Sequence, residues 1–293
     1  MTAVPLPETI GVFGGGRMGA GIAHSFLLAG CNVVLIEVDK QAAARAELTV
    51  RGNVQRSADR GKLSEPRDGI DPVTSVMARF SAGSDDGALR GAGLIVEAVP
   101  EDVQLKLSVL GRAAAVVDDS AMLASNTSSI SIDELGAAVP SPGRFLGLHF
   151  FNPVPASSLI EIIIGSQTTG EVTTTAQGWV RALGKTPVTV RNVPGFASSR
   201  LGVALGLEAI RMLEEGVATA EDIDAAMALG YKHPVGPLRL TDIVGLDVRL
   251  AIAEYLQGEL GDRFAPPQLL RDTVAAGHLG QKSGQGFYSW PQD

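Results

Sequence analysis

The strongest constraint on this chain lies near its start. Thr9-Ile-Gly-Val-Phe-Gly14 reads as a short buried strand that runs directly into Gly14-Gly-Gly16-Arg-Met-Gly19. A helix follows over residues 20–29, with Ile22, Phe26 and Ala29 on one stripe, and Gly30 ends it. The next strand, residues 32–37, closes on Glu37. A G-x-G-x-x-G alone is a weak signal. Set between a strand and a helix inside a βαβ unit, with an acid ending strand two, it marks a site for a dinucleotide. Gly14 permits the tight turn, Gly16 lets a pyrophosphate approach the backbone, and Gly19 lets helix and strand pack closely. The helix N-terminus faces the phosphates. Glu37 suits ribose hydroxyls and repels a 2′-phosphate, so NAD is expected over NADP.

The alternation of strands and helices continues to about residue 190. Strands are expected at 93–99, 121–124, 144–149, 159–164 and 187–190, and helices at 101–115 and 171–183. Ser131 with Glu134 forms a capping box, which gives Ser131 a structural role and leaves Ser128 and Ser129 in the preceding loop. Gly14, Glu37, Glu101, residues 125–128 and His149 then each follow the carboxyl end of a strand. In an open parallel sheet those ends line one crevice, where ligands bind. His149 ends an apolar run, and Glu161 sits inside Ser158-Leu-Ile-Glu-Ile-Ile-Ile-Gly165. A carboxylate in such a run is expensive to bury alone. His149 is the nearest partner in sequence with acid–base chemistry to offer.

Residues 41–61 read as a helix carrying Arg45, Arg51, Arg56 and Arg60, with Lys62 just beyond. Two readings stand: a solvated face, or a face that contacts the phosphates of a CoA-like tail. After residue 192 the strand signal stops. Helices are expected at 198–215, from Thr219 to Gly230, and as one unbroken segment at 242–260. His24, His233 and His278 read as structural, and no spacing suggests a metal site. The fold class is therefore α/β, a Rossmann-type dinucleotide-binding domain over 1–191 followed by an all-α domain over 192–293, which can cap the first domain and dimerise through apolar faces. The net charge of −8 and the lack of a basic face argue against nucleic acid. No run reaches membrane-spanning length. The first residues carry neither a charged nor an apolar leader pattern. One cysteine, Cys31, excludes an internal disulfide, and a cytoplasmic protein is expected.

The segments GGGRMGAGIA, ASNTSSI, GLHFFNPVP with the following EII, NVPGF, HPVGPLRLTDIVGLD and KSGQGFY together resemble the L-3-hydroxyacyl-CoA dehydrogenase family, in particular its bacterial 3-hydroxybutyryl-CoA members. The resemblance spans nearly the whole chain. It implies His149 as general base or acid, Glu161 as the group that orients the imidazole, and Ser128 as the hydrogen-bond partner of the substrate C3 oxygen. It places Gly14, Gly16, Gly19 and Glu37 on the adenosine and pyrophosphate half of NAD. Glu101, Lys106 and Asn152 fall near the ribose and nicotinamide, and Lys282 reaches in from the second domain. It assigns the CoA tail to the basic helix with Arg51, Arg56 and Lys62, and it implies a homodimer.

Two positions depart from the family pattern. The family carries an asparagine before the arginine that follows PGF, and Ser199 stands there, before Arg200. A serine hydroxyl is shorter and cannot both donate and accept at amide reach. Ala156-Ser157-Ser158 replaces bulkier residues after NPVP. Both bear on the substrate side. Two alternatives therefore stand beside a CoA dehydrogenase: an enzyme for a carrier-protein-bound or non-CoA 3-hydroxy acid, and an NAD-binding homologue with weak catalysis.

Overall fold

The computed structural model describes residues 4–63 and 70–291. They form two compact units, Met1–Asn192 and Val193–Asp293. The first is built on an eight-stranded sheet in the order β3-β2-β1-β4-β5-β6-β7-β8. Its strands are β1 Thr9–Phe13, β2 Asn32–Ile36, β3 Phe80–Gly83, β4 Leu94–Glu97, β5 Met122–Ser125, β6 Phe145–Phe150, β7 Leu159–Ile164 and β8 Thr186–Arg191. Parallel neighbours need helical crossovers, and α1 Arg17–Leu28, α2 Lys40–Asp59, α3 Pro72–Met77, α4 Val103–Ala114 and α5 Ile132–Gly136 supply them. The apolar strand residues pack against α1 and α2 in one cluster that includes Ile10, Val12, Ile22, Phe26, Leu35, Val50 and Val54. Capping fixes the helix starts. Asp39 accepts from Ala42 N ahead of α2, Asp102 from Leu105 N ahead of α4, and Ser131 from Glu134 N ahead of α5.

The chain order reverses between β1 and β4, which puts a topological switch point at the carboxyl ends of those two strands. Beyond β6 the sheet changes sense. β7 pairs antiparallel with β6, and β8 runs parallel to β7 across the helix α6 Gly170–Ala182. The link from β6 to β7 is too short to hold a crossover helix, so the chain has to turn back. An all-parallel arrangement, the simplest expectation from the strand–helix alternation, fails at this edge for that reason. β3 and α3 lacked a sequence signal. β3 is four residues of Phe-Ser-Ala-Gly on the sheet edge, too short and too polar to show a strand period.

The second unit holds α7 Ser198–Glu214, α8 Ala220–Ala225, α9 Pro237–Val244, α10 Leu246–Leu260 and α11 Gln268–Ala275. The expected single helix over 242–260 is two helices. Gly245, at φ 107°, breaks it between α9 and α10. Asp242 is accordingly not a helix start. It lies in the last turns of α9, fully buried, and accepts from Phe287 N, Tyr288 N and Trp290 Nε1 at 2.9, 2.9 and 2.8 Å. No helix among the described residues is long and apolar enough to cross a membrane.

Candidate active site

The glycine turn after β1 is shaped by steric need. Gly14 has φ +90°, and a Cβ there would press on the carbonyl of Ala98. A Cβ on Gly19 would collide with the carbonyl oxygen of Gly14. Gly16 differs, because nothing lies within 4 Å of where its Cβ would stand. It precedes α1 with no side-chain cap, so first-turn amides and open space coincide, as an anionic diphosphate requires. Glu37 leaves β2 and folds over this turn. Its Oε1 accepts from Gly15 N at 2.6 Å and its Oε2 from Val38 N at 3.0 Å. Each oxygen keeps a lone pair for a ribose hydroxyl. These residues fit NAD.

Across the switch point the strand ends carry acid–base groups. β6 follows β5 in parallel, so His149 reaches the same carboxyl edge as residues 125–129. β7 returns antiparallel, and the register sets Glu161 directly opposite His149. Opposed residues share a face of the sheet, and His149 Nδ1 lies 2.9 Å from Glu161 Oε2. Glu161 is 1% exposed and His149 5%. An ionised carboxylate only accepts, so Nδ1 carries the proton and Nε2 is left as an acceptor. Nε2 lies 3.1 Å from Ser128 Oγ. The ring of Phe151 stacks at a tilt, 4.4 Å from the imidazole. The result is a Ser128–His149–Glu161 chain with one basic nitrogen facing a hydroxyl. It suits moving a proton to or from an alcohol oxygen.

The loop that carries Ser128 is tightly held. Glu101 Oε1 accepts from Thr127 Oγ1 at 2.6 Å, Ser128 N at 2.8 Å, Ser129 N at 3.0 Å and Ser129 Oγ at 3.1 Å. Burial raises the Glu101 carboxyl, but the Lys106 ammonium and these donors outweigh it, and its pKa falls below the usual carboxylate range. Asn126 Oδ1 accepts from Phe150 N at 2.9 Å and ties the loop to β6. Lys106 is 1% exposed, and its ammonium meets three acceptors: Glu97 at 2.7 Å, Val99 O at 3.1 Å and Glu101 at 3.3 Å. Glu101 and Lys106 thus both engage the Ser128 loop and its base. Asn152 lies in an exposed bend beyond Phe151.

A second feature lies along α2. A cavity of about 730 Å³ is lined by Arg56, Arg60, Lys62 and Lys185, with His24, Asn53 and Ser57 in its wall. Arg56 and Lys62 of the expected basic face meet here. Arg51 is not among the lining residues and sits 3.5 Å from Glu47 one turn away. Lys185, between α6 and β8, had no sequence signal. His24 is buried with Nε2 3.0 Å from Ser57 Oγ. Its pKa is lowered to about 4, first by burial and then by Arg56, Lys62 and Lys185. Lys185 is itself lowered by burial and by Lys62. Proximity of like charges without matching acids is the signature of a place for an anion. In the second unit, Ser199 occupies the first turn of α7, and Lys282 pairs with Asp247 at 2.6 Å.

A dinucleotide crevice at a topological switch point, beside a serine–histidine–glutamate chain on the same strand ends, defines a nicotinamide-dependent alcohol dehydrogenase class. Residues 9–193 match the NAD binding domain of 3-hydroxyacyl-CoA dehydrogenase, and residues 195–290 match its C-terminal domain. The chain belongs to the 3-hydroxyacyl-CoA dehydrogenase family. It is 40% identical over 281 residues to a probable 3-hydroxybutyryl-CoA dehydrogenase of Deinococcus radiodurans, covering 96% of this chain and 99% of that one. It is 38% identical over 284 residues to the 3-hydroxybutyryl-CoA dehydrogenase of Bradyrhizobium diazoefficiens, covering 97% and 95%. The crystal structure of (S)-3-hydroxybutyryl-CoA dehydrogenase from Ralstonia eutropha is similar, with a TM-score of 0.91 and 38% identity over 97% of this chain and 99% of that one.

Proposed function

We propose that this chain interconverts (S)-3-hydroxyacyl-CoA and 3-oxoacyl-CoA with NAD, and that its substrates are short, of the 3-hydroxybutyryl and acetoacetyl type. The observation that carries the reading is the Ser128–His149–Glu161 chain at the edge of the nucleotide crevice. In oxidation, Nε2 of His149 takes the proton of the C3 hydroxyl. The imidazolium that forms is stabilised by Glu161, a buried carboxylate 2.9 Å away. In reduction the same nitrogen returns the proton to the carbonyl oxygen. Ser128 Oγ, beside Nε2, fixes the C3 oxygen in line with it. NAD, when bound, supplies the hydride acceptor.

Gly14, Gly16, Gly19 and Glu37 would hold the adenosine and pyrophosphate half of NAD. Glu101, Lys106 and Asn152 would lie toward the ribose and nicotinamide end, and Glu101 with Lys106 would also order the loop that presents Ser128. The cavity with Arg56, Arg60, Lys62 and Lys185 would take the phosphates of CoA, and this favours a CoA thioester over a carrier-bound acid. Arg51 would add charge from the flank. Residues 1–191 act as the NAD-binding domain and 192–293 as the substrate and dimerisation domain, with Ser199 and Lys282 as its contributions. Exposed Leu240, Ile243, Val244 and Val248 on α9 and α10 support a homodimer formed through that domain. The single buried Cys31 supports a cytoplasmic setting.

The test follows NADH absorbance with acetoacetyl-CoA, longer 3-oxoacyl-CoA esters and an acetoacetyl carrier-protein thioester. The expected result is fastest turnover with acetoacetyl-CoA and NADH, and little with NADPH. Faster turnover of the carrier-bound substrate would sink the CoA reading. No turnover of any thioester would leave only an NAD-binding protein.

A further inference from the structure

Glu97 takes no part in the proton transfer described above, yet it is wholly buried at the carboxyl end of β4. A buried carboxylate is tolerated only when its oxygens are met by donors. Here they are. Oε1 accepts from Lys106 Nζ and from Val99 N, both at 2.7 Å, and Oε2 accepts from Ser125 Oγ at 2.5 Å. Ser125 Oγ in turn accepts from Thr127 N at 3.2 Å. On the other side the Lys106 ammonium bridges to Glu101, whose Oε1 gathers the amides of Ser128 and Ser129. The loop is thus gripped twice, at Thr127 from Glu97 through Ser125 and at residues 127–129 from Glu101. Lys106 joins the two carboxylates. Stability alone does not call for such a network, because packed apolar side chains of similar volume hold a core as well. What apolar packing cannot do is fix the direction of a backbone amide and the hydroxyl beside it.

We propose that Glu97 is a positioning residue: through Ser125 on one side and Lys106 with Glu101 on the other, it sets the loop that presents Ser128 to His149. This rests on the reading that Ser128 and His149 act on the substrate. It adds a second buried acid to the site beside Glu161, one that touches neither substrate nor the imidazole.

Full-length Ser125→Ala and Glu97→Gln proteins test it. Ser125→Ala is the cleaner variant, since it cuts the link to the loop and leaves the Glu97–Lys106 pair in place. Hydrogen exchange of the Ser128 and Ser129 amides should speed by about tenfold or more. The kcat for acetoacetyl-CoA reduction should fall roughly 10- to 100-fold, the size expected of a small misplacement. The KM values for NADH and acetoacetyl-CoA should stay within about twofold, because ground-state binding is not what the loop supplies. On a Ser128→Ala background, Ser125→Ala should lower kcat no further, since its effect acts through the Ser128 hydroxyl. Unchanged exchange and kcat would overturn the proposal, as would an equal loss on both backgrounds. If Glu97→Gln does not fold, Ser125→Ala decides alone. Wild-type protein that fails to turn over acetoacetyl-CoA would instead defeat the functional reading, while the exchange measurement would still judge the clamp.

Discussion

The reaction centre and the basic cavity on α2 are both polar sites in the first unit, but they are built on opposite plans. In the centre the His149–Glu161 pair is buried and placed by strand register, and Ser128 is placed by a loop with several hydrogen bonds to one carboxylate. In the cavity the cations are long side chains from α2, from the residues just after it and from the turn before β8; Lys185 donates to the carbonyls of Val154 and Ser157 and Arg56 to Asn53, and no acid stands among the lining residues. The difference follows from what each has to do. Proton transfer depends on angles and distances within tenths of an ångström, and rigid backbone supplies that. Attraction of phosphates depends on summed charge, which flexible lysines and arginines supply without a unique geometry. Changes in the centre should therefore strike kcat steeply, and changes in the cavity should shift KM gradually.

The steepest effect outside His149 itself belongs to Glu161. Glu161→Gln keeps the volume and removes the charge that fixes the imidazole tautomer. It should lower kcat roughly 10²- to 10⁴-fold while NADH affinity holds, as for other carboxylate–histidine pairs. A loss spread evenly over kcat and NADH binding would erase the contrast between the two regions. Replacing Arg56 and Lys62 together by alanine should raise KM for acetoacetyl-CoA about tenfold with kcat within about twofold, and should weaken the salt dependence of KM. An unchanged KM would remove the cavity from the substrate path.

The smallest effect is a pH slope. His24 titrates at about 4 in the folded protein against an ordinary value of 6.5, through burial and the cations beside it. The unfolded chain takes up this proton first, so the contribution is complete above pH 6.5 and is lost as pH falls from there to about 4. His24→Gln should flatten the fall of Tm across that window. An identical fall in both proteins would show that the cavity does not impose its charge on His24.

Much of the centre was legible in the amino-acid order. The glycine turn, Glu37, the Ser131 cap and the His149/Glu161 pairing all rest on local patterns or on the cost of a charge in an apolar run. The shared crevice at the strand ends was legible too, but the way Glu161 comes to face His149 was not. Glu161 faces His149 because β7 reverses direction, and that reversal comes from the length of a connection, which carries no residue signature. Glu97 stayed hidden because it lies inside the strand expected at 93–99, and its donors Lys106 and Ser125 come from neighbouring elements that no local pattern ties to it. Gly245 lay inside a helical period, and only its positive φ exposes the break. Lys185 reaches the cavity through a crossover that no spacing along the chain announces.

The most direct measurement of the central claim compares His149→Asn with the wild type. Asparagine keeps an N–H for Glu161 and removes the nitrogen that exchanges a proton with the C3 oxygen. The kcat for acetoacetyl-CoA reduction should fall by roughly 10²- to 10⁴-fold, with the Kd for NADH unchanged within about twofold. A His149→Asn protein that turns over at the wild-type rate would contradict it.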